Sequence, residues 1–223
     1  MRAEAYLTPL NITAKTARWL ASVRRESRPR PQLQLQPPRA ALLVVDMVRH
    51  FCHPQGRAYV SASAAVVPNI ARLIDAWRAF GGLVIHARHG HEGPEDLGLM
   101  GRFFTDYLRA DEPEAEIIEA LKPAPGETVL RKATYDAFVG TDLEQRLKAA
   151  RKTQLVIAGV LTHLCCETTA RAAFVRGVEP YLVADATATT RAALHLGALR
   201  ALASGFGVAM STREVLDRCD ANG

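Results

Sequence analysis

Three residues in this 223-residue chain are of types that can act together on a carbonyl: a cysteine, an aspartate and a lysine, each next to an apolar strand-like run. Cys165 lies in GVLTHLCCETTA (159–170), between the branched run QLVIA (154–158) and a stretch with helical apolar spacing from Glu167 to Arg176. That is a strand-to-helix turn. With Thr162 as its cap, the helix would hold Cys165 at its third position, where free N–H groups and the helix dipole favour a thiolate, so a nucleophile at neutral pH is expected. A small buried hydrophobe is the alternative for such a cysteine. Asp46 ends the run ALLVV (41–45), where a carboxylate is costly unless paired or used, or unless it caps a helix. Lys132 follows VLR (129–131) and, taken alone, reads equally as surface charge.

The elements that must bring these groups together can be read from hydrophobic periodicity. Strand-like runs at 41–45, 83–87, 128–130, 155–159, 180–183 and 207–210 alternate with helical stretches at 65–80, 114–121, 141–150, 167–176, 189–204 and 212–218. Six strands separated by helices predict an α/β fold: a single three-layer, Rossmann-like domain with a six-stranded, mainly parallel sheet and helices on both faces. Active sites of such sheets lie beyond the carboxyl ends of the strands, and Asp46, Lys132 and Cys165 all stand at that edge. Residues 1–39 form a basic, proline-rich N-terminal arm with a short helix expected at 15–23, and the folded domain runs from 40 to 223.

Charge divides along the same boundary. Residues 1–40 carry eight Arg or Lys against Glu4 and Glu26, whereas the remainder has 20 basic and 21 acidic residues, so the net +5 belongs to the arm. A solvated arm or a contact to a partner subunit is the expected use. Basic residues interleaved with aromatics on a folded surface are lacking, which argues against nucleic acid as a partner. No apolar run long enough to span a bilayer occurs, so a soluble protein without a membrane partner is expected. Cys52, Cys165, Cys166 and Cys219 show no pairing pattern and no secretory signal opens the chain, so a cytoplasmic location is expected. Neither a GxxxxGK[ST] loop nor a GxGxxG after the first strand is present, and there is no internal repeat; a nucleotide site of either common type is not expected.

With LLVVDMVRHF (42–51), VLRKATYDAFVGTDLE (129–144), LVIAGVLTHLCCETTARAAFVRG (155–177) and LVADATAT (182–189), residues 40 to 218 resemble the isochorismatase-like cysteine hydrolases. The resemblance implies Asp46 as proton shuttle, Lys132 as the cation beside the nucleophile and Cys165 as the nucleophile. It further implies a cis peptide between Val160 and Leu161 and an oxyanion hole from the Leu161 and Cys165 N–H groups. Cys166 stands where relatives usually have Val and reads as packing. The implied activity is hydrolysis of a small-molecule amide through a thioester, giving a carboxylic acid and ammonia or an amine. A small-molecule substrate, no cofactor and a homodimer or homotetramer complete the expectation.

Two alternatives stay open. True isochorismatases cleave a vinyl ether by protonation, with Asp46 as general acid; those of the phenazine branch have Gly in place of Cys165, yet LMGRFFTDY (99–107) and RKATYDAF (131–138) are similar to that branch. A non-catalytic binding homologue is the other. Nicotinamidases hold a metal through Asp-Xaa-His and a further His; His50, His53, His86, His89 and His91 are present, but that pattern is not, so no metal site is expected. Phe51, Arg88, Arg102, Phe103, Tyr135, Phe138 and His163 are the candidate substrate-binding residues, each beside a site motif or in the irregular region after the second strand. An arginine among them would suit a substrate carboxylate.

Overall fold

Strand β1 (Ala40–Val45) is apolar at all six positions and buried at all six, because it lies mid-sheet with a layer on either face. Its side chains alternate between two cores: Ala40, Leu42 and Val44 enter one, Ala41, Leu43 and Val45 the other. The computed structural model describes residues 5–221. Around β1 the sheet is completed by β2 (Leu83–His89), β3 (Thr128–Lys132), β4 (Gln154–Val160), β5 (Glu179–Ala188) and β6 (Val208–Met210), in the order β3-β2-β1-β4-β5-β6. All five pairings are parallel. The six-stranded α/β architecture expected from periodicity is the one formed.

The helices are α1 (Ile12–Glu26), α2 (Arg49–Cys52), α3 (Ser63–Ala79), α4 (Met100–Phe103), α5 (Leu143–Ala149), α6 (Glu167–Val175), α7 (Ala192–Gly205) and α8 (Thr212–Asp220). Val66, Ile70, Leu73, Ile74 and Trp77 recur at helical spacing on α3 and are buried in the first core, while Leu143 and Leu147 of α5 and Leu199 and Leu202 of α7 fill the second. No described helix is long and apolar enough to cross a membrane.

Three elements differ from the periodicity reading. The helix expected at 114–121 is instead two short 3₁₀ turns, Pro113–Ala115 and Glu119–Leu121. Between them Ile117 bridges Val48, and the Ile118 N–H donates to the Met47 carbonyl, so tertiary pairing extends what local spacing would coil. Strand β5 runs five residues past 183, because after a bulge it pairs again with β4 through Gly159–Thr187 and Val160–Ala188. The arm helix is longer than expected and packs one face on the domain instead of standing free in solvent: Ile12, Thr16, Leu20 and Val23 form a buried stripe. Arg24–Glu214 and Arg200–Glu26 ion pairs and an Arg30 bond to the Ser204 carbonyl tie the arm to the domain surface.

Candidate active site

In this strand order the direction of crossover reverses between β1 and β4, and loops diverge there to leave a crevice. Asp46 leaves β1 and Cys165 follows β4, so the two flank that switch point. Asp46 adopts φ 52°, a left-handed conformation aspartate tolerates better than most residues, while its N–H bonds the Ala87 carbonyl at 2.7 Å. Gly159 brings the two strand ends together. It has φ 117°, and a Cβ there would stand 2.0 Å from the Val45 carbonyl oxygen, so only glycine permits this approach.

Lys132 ends β3, two strands away from β1, and its long side chain spans the gap. Its Nζ lies 2.7 Å from Asp46 Oδ2, 3.3 Å from Cys165 Sγ and 3.0 Å from the Thr134 carbonyl oxygen. Those three acceptors match the three protons of an ammonium, which is how a lysine only 1% exposed keeps its charge. Burial alone would favour the neutral amine, but the negative charge of Asp46 and the sulfur outweigh it and hold the lysine pKa above its ordinary value. For Cys165, burial and then the Asp46 charge push the thiol up to about 12, against the opposing pull of Lys132.

Burial and the Asp46 charge thus work against the thiolate that the sequence leads one to expect at position 165. The local geometry explains part of the difference. Thr162–Cys166 is a π-helical turn, not the first turn of an α-helix; the Leu161 carbonyl accepts from the Leu164 and Cys166 N–H groups, and α6 begins only at Glu167. Thr162 makes no side-chain cap, and its hydroxyl instead meets His195 Nδ1 at 2.9 Å. The Val160–Leu161 peptide is cis. Cys166 is fully buried in the second core.

The candidate pocket residues divide. Tyr135 is half-buried, its hydroxyl pKa raised by burial and then by Cys165, and with Thr134 it lines a cavity of about 600 Å³ facing Asp96–Met100. Phe51 packs edge-on against His50, with ring centroids 4.7 Å apart. His163 belongs to the turn that carries Cys165, and its Nδ1 meets Thr189 Oγ1 at 2.7 Å. Arg88 is committed to the Ala110 carbonyl at 2.9 Å, and Phe138 lies in the second core under the Arg176 guanidinium. Arg102 and Phe103 lie on α4, exposed, Phe103 by 82%. Sequence reasoning missed Thr134, Gly159, Thr189 and His195, since none carries a short-range signal for its role.

Three of the histidines on and around β2 are engaged with carboxylates. His50 Nδ1 meets Glu114 at 2.9 Å, His91 Nδ1 meets Asp96 at 3.1 Å and His86 Nε2 meets Glu127 at 3.2 Å. His89 is held neutral by burial, its pKa down to about 4. Among the described residues no three His, Cys, Asp or Glu side chains are disposed to hold a metal ion, so the residues do not fit the metal site of nicotinamidases.

The chain is similar to proteins of known family and structure. Residues 40–214 match the Isochorismatase domain family. The chain is 37% identical to Nicotinamidase 3 of Arabidopsis thaliana over 171 residues, covering 75% of this chain and 82% of that protein. It is 35% identical to the phenazine biosynthesis protein PhzD1 of Pseudomonas aeruginosa over 212 residues, 94% of each. The crystal structure of a cysteine hydrolase from Pseudomonas syringae pv. phaseolicola superposes with a TM-score of 0.84 at 32% identity, covering 88% of this chain and all of that one. A hydrolase by fold and by kinship, this chain belongs to the isochorismatase family.

Proposed function

We propose that the protein hydrolyses a C–N bond of a small-molecule amide through a thioester on Cys165. The observation that carries this reading is the bridging ammonium: Lys132 Nζ contacts both Asp46 and the Cys165 sulfur inside a buried crevice. A dry site makes each of these charges count for more than it would in water.

As Cys165 attacks the carbonyl carbon, its proton passes to Asp46, and Lys132 stabilises the negative charge that moves onto the sulfur and the adjoining groups. The carbonyl oxygen becomes an oxyanion held by the N–H groups of Leu161 and Cys165. Collapse breaks the C–N bond, Asp46 returns the proton to the departing nitrogen, and ammonia or an amine leaves. Water then attacks the thioester, Asp46 takes its proton, and the carboxylic acid departs as the thiol is reprotonated. Tyr135 lines a cavity of about 600 Å³ together with Thr134, whose carbonyl oxygen meets Lys132 Nζ, and a small-molecule substrate suits its size.

A second reading draws on the match to PhzD1, which extends over 94% of the chain and so reaches into the arm. In it Asp46 donates a proton to a vinyl ether and the thiol is idle. A panel of small amides assayed beside isochorismate, with Cys165→Ala alongside, separates the two. Ammonia release abolished by the substitution supports the amidase; pyruvate release that survives it replaces that reading with the vinyl ether one.

A further inference from the structure

The N-terminal arm reaches the back of the nucleophile turn by two routes. In the first, the Thr189 N–H donates to the Tyr6 hydroxyl at 3.0 Å, and Thr189 Oγ1 meets His163 Nδ1 at 2.7 Å. In the second, the rings of Tyr6 and Trp19 lie 6.0 and 5.0 Å from that of His195, whose Nδ1 meets Thr162 Oγ1 at 2.9 Å. Thr162 and His163 are the first two residues of the five-residue turn that ends with Cys165 and Cys166. Tyr6 and Leu7 are buried, and the Lys15 ammonium donates to the Tyr6 carbonyl, so this end of the arm is anchored as well as packed. None of these arm residues lies within the 40–214 segment matched by the family domain.

We propose that Tyr6 is a positioning residue: with Trp19 behind it, it holds the π-helical turn at Thr162 and His163 and thereby sets the direction in which Cys165 presents its sulfur. The arm is in this view part of the active-site scaffold, supplied from outside the segment matched by the family domain. The physical reason is that His163, His195, Thr162 and Thr189 are all small polar groups whose orientation is set by their partners. Burial keeps both imidazoles toward the neutral form, His195 down to about 3, so they act as fixed hydrogen-bonding links and carry no switching charge. A displacement of the sulfur by a fraction of an ångström is felt in the rate of attack long before it is felt in binding.

The inference rests on Cys165 being the nucleophile, and the test keeps the two separable. Tyr6→Phe removes only the hydroxyl, Tyr6→Ala removes the ring as well, and Val84→Ala opens a cavity in the first core at the amino-terminal end of β2, the sheet edge opposite the turn. For each, kcat and KM are measured on an amide that the wild type hydrolyses, together with the thermal midpoint and the rate of Cys165 alkylation by iodoacetamide. Tyr6→Phe is expected to lower kcat about tenfold with KM changed less than about twofold, Tyr6→Ala to lower it further, and both to alter the alkylation rate in step. Val84→Ala is expected to lower the midpoint while leaving kcat at wild-type level below it. Wild-type kcat and alkylation in both Tyr6 variants, or losses in all three variants that track the thermal midpoint alone, would overturn the proposal. Should no amide be hydrolysed by the wild type, the functional reading fails by itself, and the alkylation rates still decide whether Tyr6 positions the thiol.

Discussion

Lys132 Nζ stands 2.7 Å from Asp46 Oδ2 with both side chains fully removed from solvent, although β2 lies between the strands that carry them. A buried pair of this kind gives little net stability over apolar packing, because desolvation of both ions offsets their attraction. Its presence in the crevice is better explained by chemistry than by folding.

Breaking the pair should therefore cost both activity and stability. Asp46→Asn keeps the shape, removes the proton acceptor and strands the Lys132 charge. A fall in kcat of about 10²- to 10⁴-fold is expected, with a loss of about 3–5 kcal/mol in urea unfolding. Activity within tenfold of wild type would remove Asp46 from the proton-transfer role.

The thiol should stay protonated across the neutral range. With the Cys165 pKa raised to about 12, the thiolate absorbance near 240 nm that distinguishes wild type from Cys165→Ala should be flat from about pH 6 to 9 and rise only in strong alkali. The sign for stability is that of an acid whose pKa rises on folding: its contribution is complete below its unfolded pKa and is lost as pH climbs toward 12. A titration step near pH 7 would show that the sulfur is a resting thiolate after all.

Glu127 makes the opposite linkage. Hydrogen bonds from Arg78 first, then from the Ala124 N–H and His86, outweigh burial and bring it down to about 2. Its stabilisation is thus present above its unfolded value and disappears as pH falls toward 2. Glu127→Gln should lower unfolding free energy by about 1–3 kcal/mol at pH 7, and the gap to wild type should close with acidification. A difference independent of pH would assign the effect to packing alone.

Gly159→Ala should be far worse than an ordinary glycine replacement. The new methyl would meet the Val45 carbonyl oxygen and the residue would keep a positive φ, so β1 and β4 must part at the switch point. A loss of about 3 kcal/mol or more is expected by calorimetry, with kcat reduced in whatever protein still folds. Gly81→Ala, which has positive φ but open space around it, serves as the comparison and should cost less.

Much of the architecture was legible because it rests on short-range pattern. The doubly apolar run from Ala41 to Val45 can only be a central strand, the α3 stripe can only be a helix lying on a sheet, and strict strand–helix alternation leaves few topologies besides a parallel sheet. Asp46, Lys132 and Cys165 could be named for the same reason: each ends or follows a strand, and a parallel sheet brings all such ends to one edge. What failed to be legible was set by partners distant in the chain. The segment 114–121 has helical spacing but is pulled straight by Val48 and Met47; β5 runs on because β4 offers it a second register after Gly159; the arm folds down because α7 and β5 supply a surface for its stripe.

Residue types and their order determined that a thiol, a carboxylate and an ammonium would be delivered to one end of a parallel sheet, since strand polarity and hydrophobic period are local properties of the chain. Only the tertiary structure decided their protonation and aim. A pKa depends on burial and on charges brought from other strands, and the direction of a sulfur depends on a turn held by residues as far away as Tyr6 and His195, neither of which adjacent sequence can encode.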